Sequence, residues 1–489
     1  MVRVVFVNSW NRALSWFFYA QGMSSPPYGM VRAATRLQQM GFEVSVLDAQ
    51  RLELDPEDVT SRLQESGCDV VVVGGFSELH LHVFMGASVF PYDLELCQHL
   101  HLEMPQTRVF LSGYLPTLFP DAMSQYENVF DSLATSFEEL CVNLKLSNFI
   151  QDRELPSPNY ELLVPDITHY GIDLNLFLLP GKETVLPVLP VMTGIGCPFH
   201  CTFCATPAYF QGKSSLRPVR SVLDEIEYGI DRYQVKLWSV WDDTFTVQSE
   251  RVKEFCQGLI ERHLDISWWC FGMARWLLKH PELVGLMADA GCKMIWIGGE
   301  SNENGQLKAY RKGVSMADTK DAAKLIKQHD ILPTVSFLLG ERDDDLSAVE
   351  RKLDTYRAFE RLGCVNIYTL LIPVPGTPLF SELSSSSQFR RNDLRSYSGV
   401  RSILASDPEV SDALEEIYFN AYCDSILSTR WQDNWDRANL GDPQPLLERK
   451  NVTTMVDLRR HARLHYDNLR QLEYGPGAKV DACHFVTSV

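Results

Sequence analysis

The chain has 489 residues, which is more than one ordinary domain contains and predicts two or three domains. Hydrophobic residues make up 45% of it and charged residues 22%, the mixture of a protein with packed cores. The 45 Lys and Arg residues against 63 Asp and Glu give a formal net charge of −18, which argues against a broad nucleic-acid surface and against docking on anionic lipid. No apolar run approaches the roughly 20 residues that span a bilayer, and the N-terminus has no signal-peptide cleavage pattern. We therefore expect a cytoplasmic protein.

The first 150 residues alternate short apolar strands with amphipathic helices. Helices are predicted at 30–41 and 55–67, and strands at 2–8, 42–48, 69–76, 107–113 and 127–133. This alternation predicts an α/β domain with a doubly wound parallel sheet over residues 1–150. Ligands of such sheets bind at the carboxyl ends of the strands, which here are followed by the loops 9–29, 74–82 and 112–120.

Three further regions follow along the chain. Residues 151–186 carry several Pro residues and little periodicity, and they are predicted to form a linker. A second α/β series over 187–385 predicts a partial (β/α)6 barrel, with strands at 189–194, 235–243, 267–275, 293–301, 332–340 and 366–376. Helices are predicted between these strands at 221–233, 249–263, 281–291 and 316–330. The acidic run 341–345 is predicted to be a solvated loop. Residues 386–489 are more polar and are predicted to form a mostly helical C-terminal region that caps the barrel.

Three of the 12 Cys residues form one compact motif, GIGCPFHCTFCATP, in which Cys197, Cys201 and Cys204 are spaced as C-x3-C-x2-C. At the Cys frequency of this chain, chance produces such a triplet in fewer than about one chain in a hundred. Thiolates this close together indicate one soft-metal centre. A zinc site and plain buried thiols are the alternatives, although structural zinc commonly uses two separated pairs of ligands. An iron–sulfur cluster on three thiolates would leave one iron without a protein ligand.

The Cys motif, in a loop after the first strand of a predicted partial barrel, resembles that of the radical S-adenosylmethionine (AdoMet) enzymes. Four later segments resemble motifs that this family carries in the same order: WDDTF (241–245), WIGGES (296–301), FLLGERDDD (337–345) and IPVPGTPLF (372–380). The resemblance covers about residues 190–385. The N-terminal half is similar to the cobalamin-binding domain that precedes many of these barrels. It lacks the D-x-H-x-x-G motif that supplies an axial His in many such domains, and His80 and His82 are candidate replacements.

The resemblance implies a set of cofactors and the residues that hold them. Cys197, Cys201 and Cys204 would ligate a [4Fe-4S] cluster, AdoMet would chelate the open iron, and cobalamin would occupy the N-terminal domain. Gly194 and Gly196 would let the backbone pass close to the cluster. Contacts to AdoMet are implied for the aromatic Phe203 and for polar residues at strand ends, namely Asp242, Asp243, Arg275, Glu300 and Ser301. From the sequence alone, helix caps and structural ion pairs remain alternatives for the polar residues, and core packing for the six Trp residues between 238 and 296.

The family resemblance also implies a reaction. A 5′-deoxyadenosyl radical would abstract hydrogen from a small-molecule substrate, and an external donor such as flavodoxin or ferredoxin would supply the electron. The leading hypothesis is cobalamin-dependent C-methylation in a biosynthetic pathway. The alternative is a radical dehydratase, epimerase or cyclase acting on a sugar or natural-product intermediate, with an N-terminal domain that holds no cobalamin. A metal-stabilised binding module without turnover is the non-enzymatic alternative.

Overall fold

A computed structural model describes the protein over residues 2–10, 23–75, 80–146, 156–172, 187–341, 344–384, 393–404 and 408–426, together with Arg463, Tyr466 and Asp467. Two β-sheets of six strands each organise these residues. Within the described ranges, no helix has the length and apolar character needed to cross a membrane.

The N-terminal sheet has a flavodoxin-like strand order. Its strands are β1 (Arg3–Asn8), β2 (Glu43–Asp48), β3 (Val70–Val73), β4 (Arg108–Leu111), β5 (Ser132–Leu133) and β6 (Leu163–Val164). They lie in the order β5-β4-β3-β1-β2-β6, and every pairing is parallel. This confirms the predicted doubly wound sheet. The order of connections reverses between β1 and β3, and ligands of such sheets bind outside the carboxyl ends of the strands at this point.

Among the described residues, three long helices pack on this sheet: α1 (Tyr28–Gln39), α2 (Pro56–Ser66) and α3 (His80–Glu103). The predictions of α1 and α2 are confirmed, and α2 starts where the Asp55 carboxylate accepts a hydrogen bond from the backbone N–H of Asp58 at 2.8 Å. The sequence did not predict α3. Its apolar residues surround the helix without forming one stripe, and Pro91 interrupts the pattern.

Part of the predicted linker belongs to the N-terminal domain. Leu163 pairs with Val46 of β2, and the Tyr170 hydroxyl donates a hydrogen bond to the Asp48 carboxylate at 2.7 Å. Tyr160 is 3% exposed. Burial of these apolar residues against the sheet explains why residues 156–172 are not a free linker. The remaining positions of the predicted linker, 151–155 and 173–186, lie outside the described residues.

The second sheet confirms the predicted partial barrel. Its strands are β7 (Val188–Val191), β8 (Leu237–Val240), β9 (Ser267–Gly272), β10 (Cys292–Glu300), β11 (Leu332–Leu339) and β12 (Val365–Leu370). Each strand pairs in parallel with the next one along the chain. The long helices between them are α4 (Val219–Tyr233), α5 (Ser249–Glu261), α6 (Pro281–Asp289), α7 (Met316–Gln328) and α8 (Leu346–Arg361).

Shorter elements connect these helices and strands. Short helices cover Ala49–Leu52, Tyr114–Leu118, Phe137–Asn143, Ala205–Tyr209, Ala274–Lys279, Asn304–Ala309 and Pro378–Ser384. Two antiparallel ribbons pair Met23–Ser24 with Gly171–Ile172 and Gly194–Gly196 with Ser214–Leu216.

The last long helix of the described residues, α9 (Pro408–Ile426), covers the edge strand β12. The backbone N–H of Asn366 donates to the Ser425 hydroxyl at 3.0 Å, and that hydroxyl donates to the carbonyl of Asn366 at 2.8 Å. One side chain thus satisfies both backbone groups of an edge residue, which would otherwise be open to pairing with another chain. Most of the predicted helical region 386–489 lies outside the described residues.

A buried carboxylate lies beside the strand ends of the N-terminal domain. Asp93, on α3, is 3% exposed and accepts a hydrogen bond from Ser9. A Cβ atom on Gly74 would come within 3.1 Å of its Oδ2. Burial raises the pKa of Asp93 to about 7.

Asp93 is therefore expected to make the free energy of unfolding depend on pH. In the unfolded chain the pKa of Asp93 is about 4, so the folded state holds the proton more tightly. The resulting contribution to the free energy of unfolding is fully present below about pH 4 and is lost as the pH rises through 7. Between pH 5 and pH 8, the free energy of unfolding of the wild type should fall by about 2–3 kcal/mol more than that of Asp93→Asn, because Asn at this position does not titrate. Urea unfolding at both pH values measures the difference, and parallel losses in the two proteins would contradict the prediction.

Candidate active site

The three clustered thiols lie in a loop after the ribbon strand Gly194–Gly196. The loop is held at Thr202, whose backbone N–H donates to the carbonyl of Tyr310 at 3.1 Å and whose carbonyl accepts from the N–H of Leu379 at 3.0 Å. Tyr310 follows β10 and Leu379 follows β12. The loop is therefore fixed against two other carboxyl-terminal connections of the barrel.

Gly196 is needed for the ribbon that starts this loop. Its φ is +80°, and a Cβ atom would overlap the backbone carbonyl of Lys213, the residue just before the partner ribbon strand. Sequence analysis attributed this glycine to a close approach of the backbone to the cluster. The structure shows a close neighbour within the protein itself, the backbone of the other ribbon strand.

Substitution Gly196→Ala is expected to lower the free energy of unfolding by about 2–4 kcal/mol, from the left-handed backbone and the overlap together. Gly41 is the matched control, because its φ is +91° but a Cβ atom there meets nothing within 4 Å. Gly41→Ala should cost only about 1–2 kcal/mol. Equal losses in chemical denaturation of the two variants would show that the close approach at Gly196 is unimportant.

A cavity of about 210 Å³ opens at the carboxyl ends of the barrel strands, and all three thiols line it. Its opposite walls are mainly apolar and aromatic, with Trp241, Phe271 and Trp296 in contact through ring centroids 5.3–5.8 Å apart. Two of the six Trp residues thus line a pocket. Trp238 and Trp268 are at most 2% exposed and pack in the core, as predicted.

The predicted AdoMet contacts divide into residues that reach this cavity and residues that do not. Phe203, Asp243 and Glu300 line it. Phe203 also meets the Tyr310 ring edge-on at 5.1 Å, and Asp243 accepts a hydrogen bond from the Thr206 hydroxyl at 3.0 Å.

Asp242, Ser301 and Arg275 are placed elsewhere. The Asp242 carboxylate accepts hydrogen bonds from the backbone N–H and the hydroxyl of Thr193, at 2.6 and 2.5 Å, so it ties β8 to β7. Burial raises its pKa to about 6. The fully buried Ser301 accepts from the N–H of Glu303 at 3.3 Å, a local turn contact. Arg275 does not end a strand but lies exposed on the short helix 274–279, with its guanidinium 3.4 Å from the carbonyl of Gly313.

One charged cavity residue was missed by sequence analysis. Lys312 lines the cavity, and its ammonium group contacts the Glu300 carboxylate at 2.6 Å. The pair lies over Gly298, where a Cβ atom would come within 2.5 Å of the Lys312 Nζ. This explains the first glycine of the WIGGES segment. No spacing pattern links Lys312 to this motif, because the intervening helix 304–309 folds it back over the strand.

The chemistry of the three thiols suits an iron–sulfur cluster. Burial raises the pKa of Cys197 to about 12 and raises the pKa of Cys201 and Cys204 as well, so ligation must displace their protons. Among the described residues, no three Cys, His, Asp or Glu side chains surround a point that one metal ion could occupy. A cluster distributes its thiolates over separate irons and leaves one iron open when only three are present.

The carboxyl end of the N-terminal sheet contacts segments that flank the Cys loop and the last barrel strand. The Tyr114 hydroxyl, just after β4, donates to the carbonyl of Pro375 at 2.9 Å, and its ring stacks on Tyr209 at 5.7 Å. The Tyr209 hydroxyl in turn donates to Thr117 at 3.2 Å. Tyr209 ends the helix that follows Cys204. The ligand edge of the first domain therefore abuts the Cys loop of the second.

The residues at that edge are compatible with a corrin cofactor, which brings a nucleotide-like tail. β3 and β4 are followed by Gly74 and Gly113, both with positive φ, and a Cβ atom on Gly74 would lie 2.6 Å from the carbonyl of Ser112. Gly74 thus lets the ends of β3 and β4 pack closely beside the switch point where such folds bind nucleotides. Most of the loops 9–29 and 74–82 and the side chains of His80 and His82 lie outside the described residues, so axial ligation stays a prediction.

Comparison with known proteins agrees with this architecture. The Radical SAM superfamily model matches residues 191–355. The uncharacterized methyltransferase PH0819 of Pyrococcus horikoshii is 24% identical over 437 residues, covering 83% of this chain and 89% of its own. The anaerobic magnesium-protoporphyrin IX monomethyl ester cyclase of Cereibacter sphaeroides is 24% identical over 384 residues, covering 74% and 60%.

Two solved structures share both domains. The cobalamin-dependent AdoMet radical enzyme OxsB superposes with a TM-score of 0.60 at 13% identity, over 97% of this chain and 80% of that chain. The radical AdoMet methyltransferase TsrM from Kitasatospora setae superposes with a TM-score of 0.59 at 17% identity, over 96% and 100%. At these identities the likeness establishes a common fold. Residues 191–355 are thus the part of the chain that matches the Radical SAM superfamily, and they follow an N-terminal flavodoxin-like domain.

Proposed function

We propose that the protein is a cobalamin-dependent radical AdoMet methyltransferase that methylates a carbon of a small molecule. The observation that carries the proposal is the position of the three thiols. They lie in a cavity at the barrel mouth, beside the carboxyl edge of a flavodoxin-like sheet. A cluster and a corrin bound at these two edges would share one reaction space. The names of the methyltransferase relative and of the two solved structures support the same assignment.

The chain's own residues bind, orient and exclude water. Cys197, Cys201 and Cys204 would hold the cluster, which when bound supplies the electron that cleaves AdoMet into methionine and a 5′-deoxyadenosyl radical. Glu300 and Lys312 offer one anion and one cation to the zwitterionic end of AdoMet. The aromatic walls exclude water, which strengthens the electrostatic interactions inside the cavity.

The N-terminal domain would present the second cofactor. Gly74, Ser112 and Gly113 would accommodate the nucleotide tail at the strand ends, and bound methylcobalamin would supply the methyl group. Tyr114 and Tyr209 fix this edge against the Cys loop by stacking and hydrogen bonding. The clustered thiols Cys197, Cys201 and Cys204 form no disulfide, which fits a reducing compartment, and we place the protein in the cytoplasm.

Labelled AdoMet tests the proposal. Protein with a reconstituted cluster and bound cobalamin is incubated anaerobically with AdoMet that carries deuterium in its methyl group, together with candidate substrates. Transfer of the labelled methyl group to a substrate carbon supports the proposal. Production of 5′-deoxyadenosine with substrate conversion, but with no label in any product, would refute methyl transfer while leaving the radical assignment intact.

A second candidate is a radical cyclase, favoured by the similarity to the magnesium-protoporphyrin IX monomethyl ester cyclase. The chain spans 60% of that relative, so whole-protein activity does not carry over directly. The two candidates differ in products. A cyclase yields a new ring without a labelled methyl group, and the same experiment distinguishes them.

A further inference from the structure

A basic concavity lies on the outer side of the Cys loop. Its volume is about 530 Å³ and it is open to solvent. It is formed by the short helices 274–279 and 304–309 and by the turn that leads into α7. Three exposed cations line it: Arg275, Lys308 and Arg311.

The charge of this concavity opposes that of the whole chain. The protein carries a formal net charge of −18, yet this surface gathers three cations. No ion pair within the described residues engages any of the three. The acidic side chain in the concavity, Asp318, is used locally, since its carboxylate accepts hydrogen bonds from the backbone N–H and the hydroxyl of Ser315, both at 2.8 Å. The cations are therefore available to an acidic partner.

The back of the concavity reaches the cluster ligands. The backbone carbonyl of Arg311 lies 4.0 Å from the Cys201 Sγ. On the other side, Trp276, next to Arg275, meets Phe199 of the Cys loop at 5.2 Å. A protein seated in the concavity would stand one residue away from a cluster thiolate. No residue is common to the lining of this concavity and the lining of the cavity that holds the three thiols.

We propose that this surface, the Arg275–Lys308–Arg311 concavity, docks an acidic one-electron carrier protein that reduces the cluster through Cys201. The proposal rests on the proposed function, which requires a reduced cluster. In the step, the carrier, a reduced flavoprotein or iron–sulfur protein, loses one electron and the cluster gains it, with no bond broken. Complementary charge steers such encounters and raises their rate by about ten-fold or more at low salt. Arg275, assigned to AdoMet in sequence analysis, belongs to this surface instead.

Cluster reduction measured separately from turnover tests the docking surface. The variant Lys308→Glu/Arg311→Glu is reconstituted, and its cluster reduction by photoreduced flavodoxin or by reduced ferredoxin is followed by stopped-flow absorbance. We expect both carriers to reduce it at least about ten-fold more slowly than wild type at low salt, with the difference shrinking at 0.5 M salt. Reduction by dithionite, a small molecule, should be unchanged, as should the electron paramagnetic resonance spectrum of the dithionite-reduced cluster.

The matched control changes the net charge equally at two exposed positions outside the concavity, Arg62→Glu/Lys253→Glu, and should stay within about two-fold of wild type. Wild-type rates in the Lys308/Arg311 variant, an equal slowing in the control, or no reduction of wild type by either carrier would each overturn the proposal. Arg275→Glu adds a separate comparison. Slower reduction with unchanged AdoMet affinity supports docking, whereas weaker AdoMet binding with a wild-type rate would return Arg275 to the cofactor. Methyl transfer driven by dithionite tests the proposed function independently.

Discussion

Replacement of Cys201 by Ala is expected to abolish 5′-deoxyadenosine production. Cys201 is one of three thiols lining the cavity, and two thiolates would leave a second iron without a protein ligand. The variant should lose the brown absorbance of the cluster and most of its iron, and product should fall to the background of the assay. Iron analysis, visible spectra and chromatography of an anaerobic reaction with dithionite and AdoMet measure the three effects together.

Cys68→Ala is the control for this experiment, because Cys68 is a half-buried thiol in the N-terminal domain, remote from the cavity. It should keep iron, colour and product. A Cys201 variant that retains the cluster and its product would contradict the assignment of the triplet. Colourless wild-type protein with one zinc per chain would instead favour the zinc alternative.

The sequence predicted the barrel well because each of its strands is a short apolar run followed by a helix with one apolar stripe. Every predicted barrel strand and helix is present, with ends shifted by a few residues. Two features of the N-terminal domain escaped. Helix α3 is apolar on all sides, so it offers no period to detect. The strand at 163–164 is two residues long and exists through its pairing with β2, a contact that no local pattern encodes.

The site residues could be predicted where they lie together in one segment of the sequence. They could not be predicted where the chain has to fold back to bring distant residues together. The Cys motif and the glycines of WIGGES stand in the sequence. Lys312 reaches Glu300 only because a helix returns the chain over β10. The acidic run at 341–345 is a case in which the sequence predicted exposure and the structure shows buried contacts. It was predicted to be solvated, but Glu341 and Asp344 contact the ammonium group of Lys352, which is 3% exposed, across a turn of chain.

The Lys312–Glu300 pair carries the second large expected effect. The two side chains are 11% and 10% exposed, so removing one partner leaves a buried charge. Lys312→Met should lower the free energy of unfolding by about 3–5 kcal/mol. Lys236→Met is the control, because Lys236 pairs with Asp265 at 3.5 Å where the side chains are 68% and 94% exposed. That variant should change stability by less than about 1 kcal/mol.

A double variant separates the stabilising role of the pair from its role toward AdoMet. Lys312→Met/Glu300→Gln removes both charges at similar volume, so most of the lost stability should return. Affinity for AdoMet should not return, because the cavity would then offer neither a cation nor an anion to the amino-acid end of the cofactor, and a loss of at least about 30-fold is expected. Urea unfolding and calorimetric titration of the reconstituted protein give the two quantities. Wild-type AdoMet affinity in the double variant would show that the pair serves only to support Gly298 and the strand beneath it.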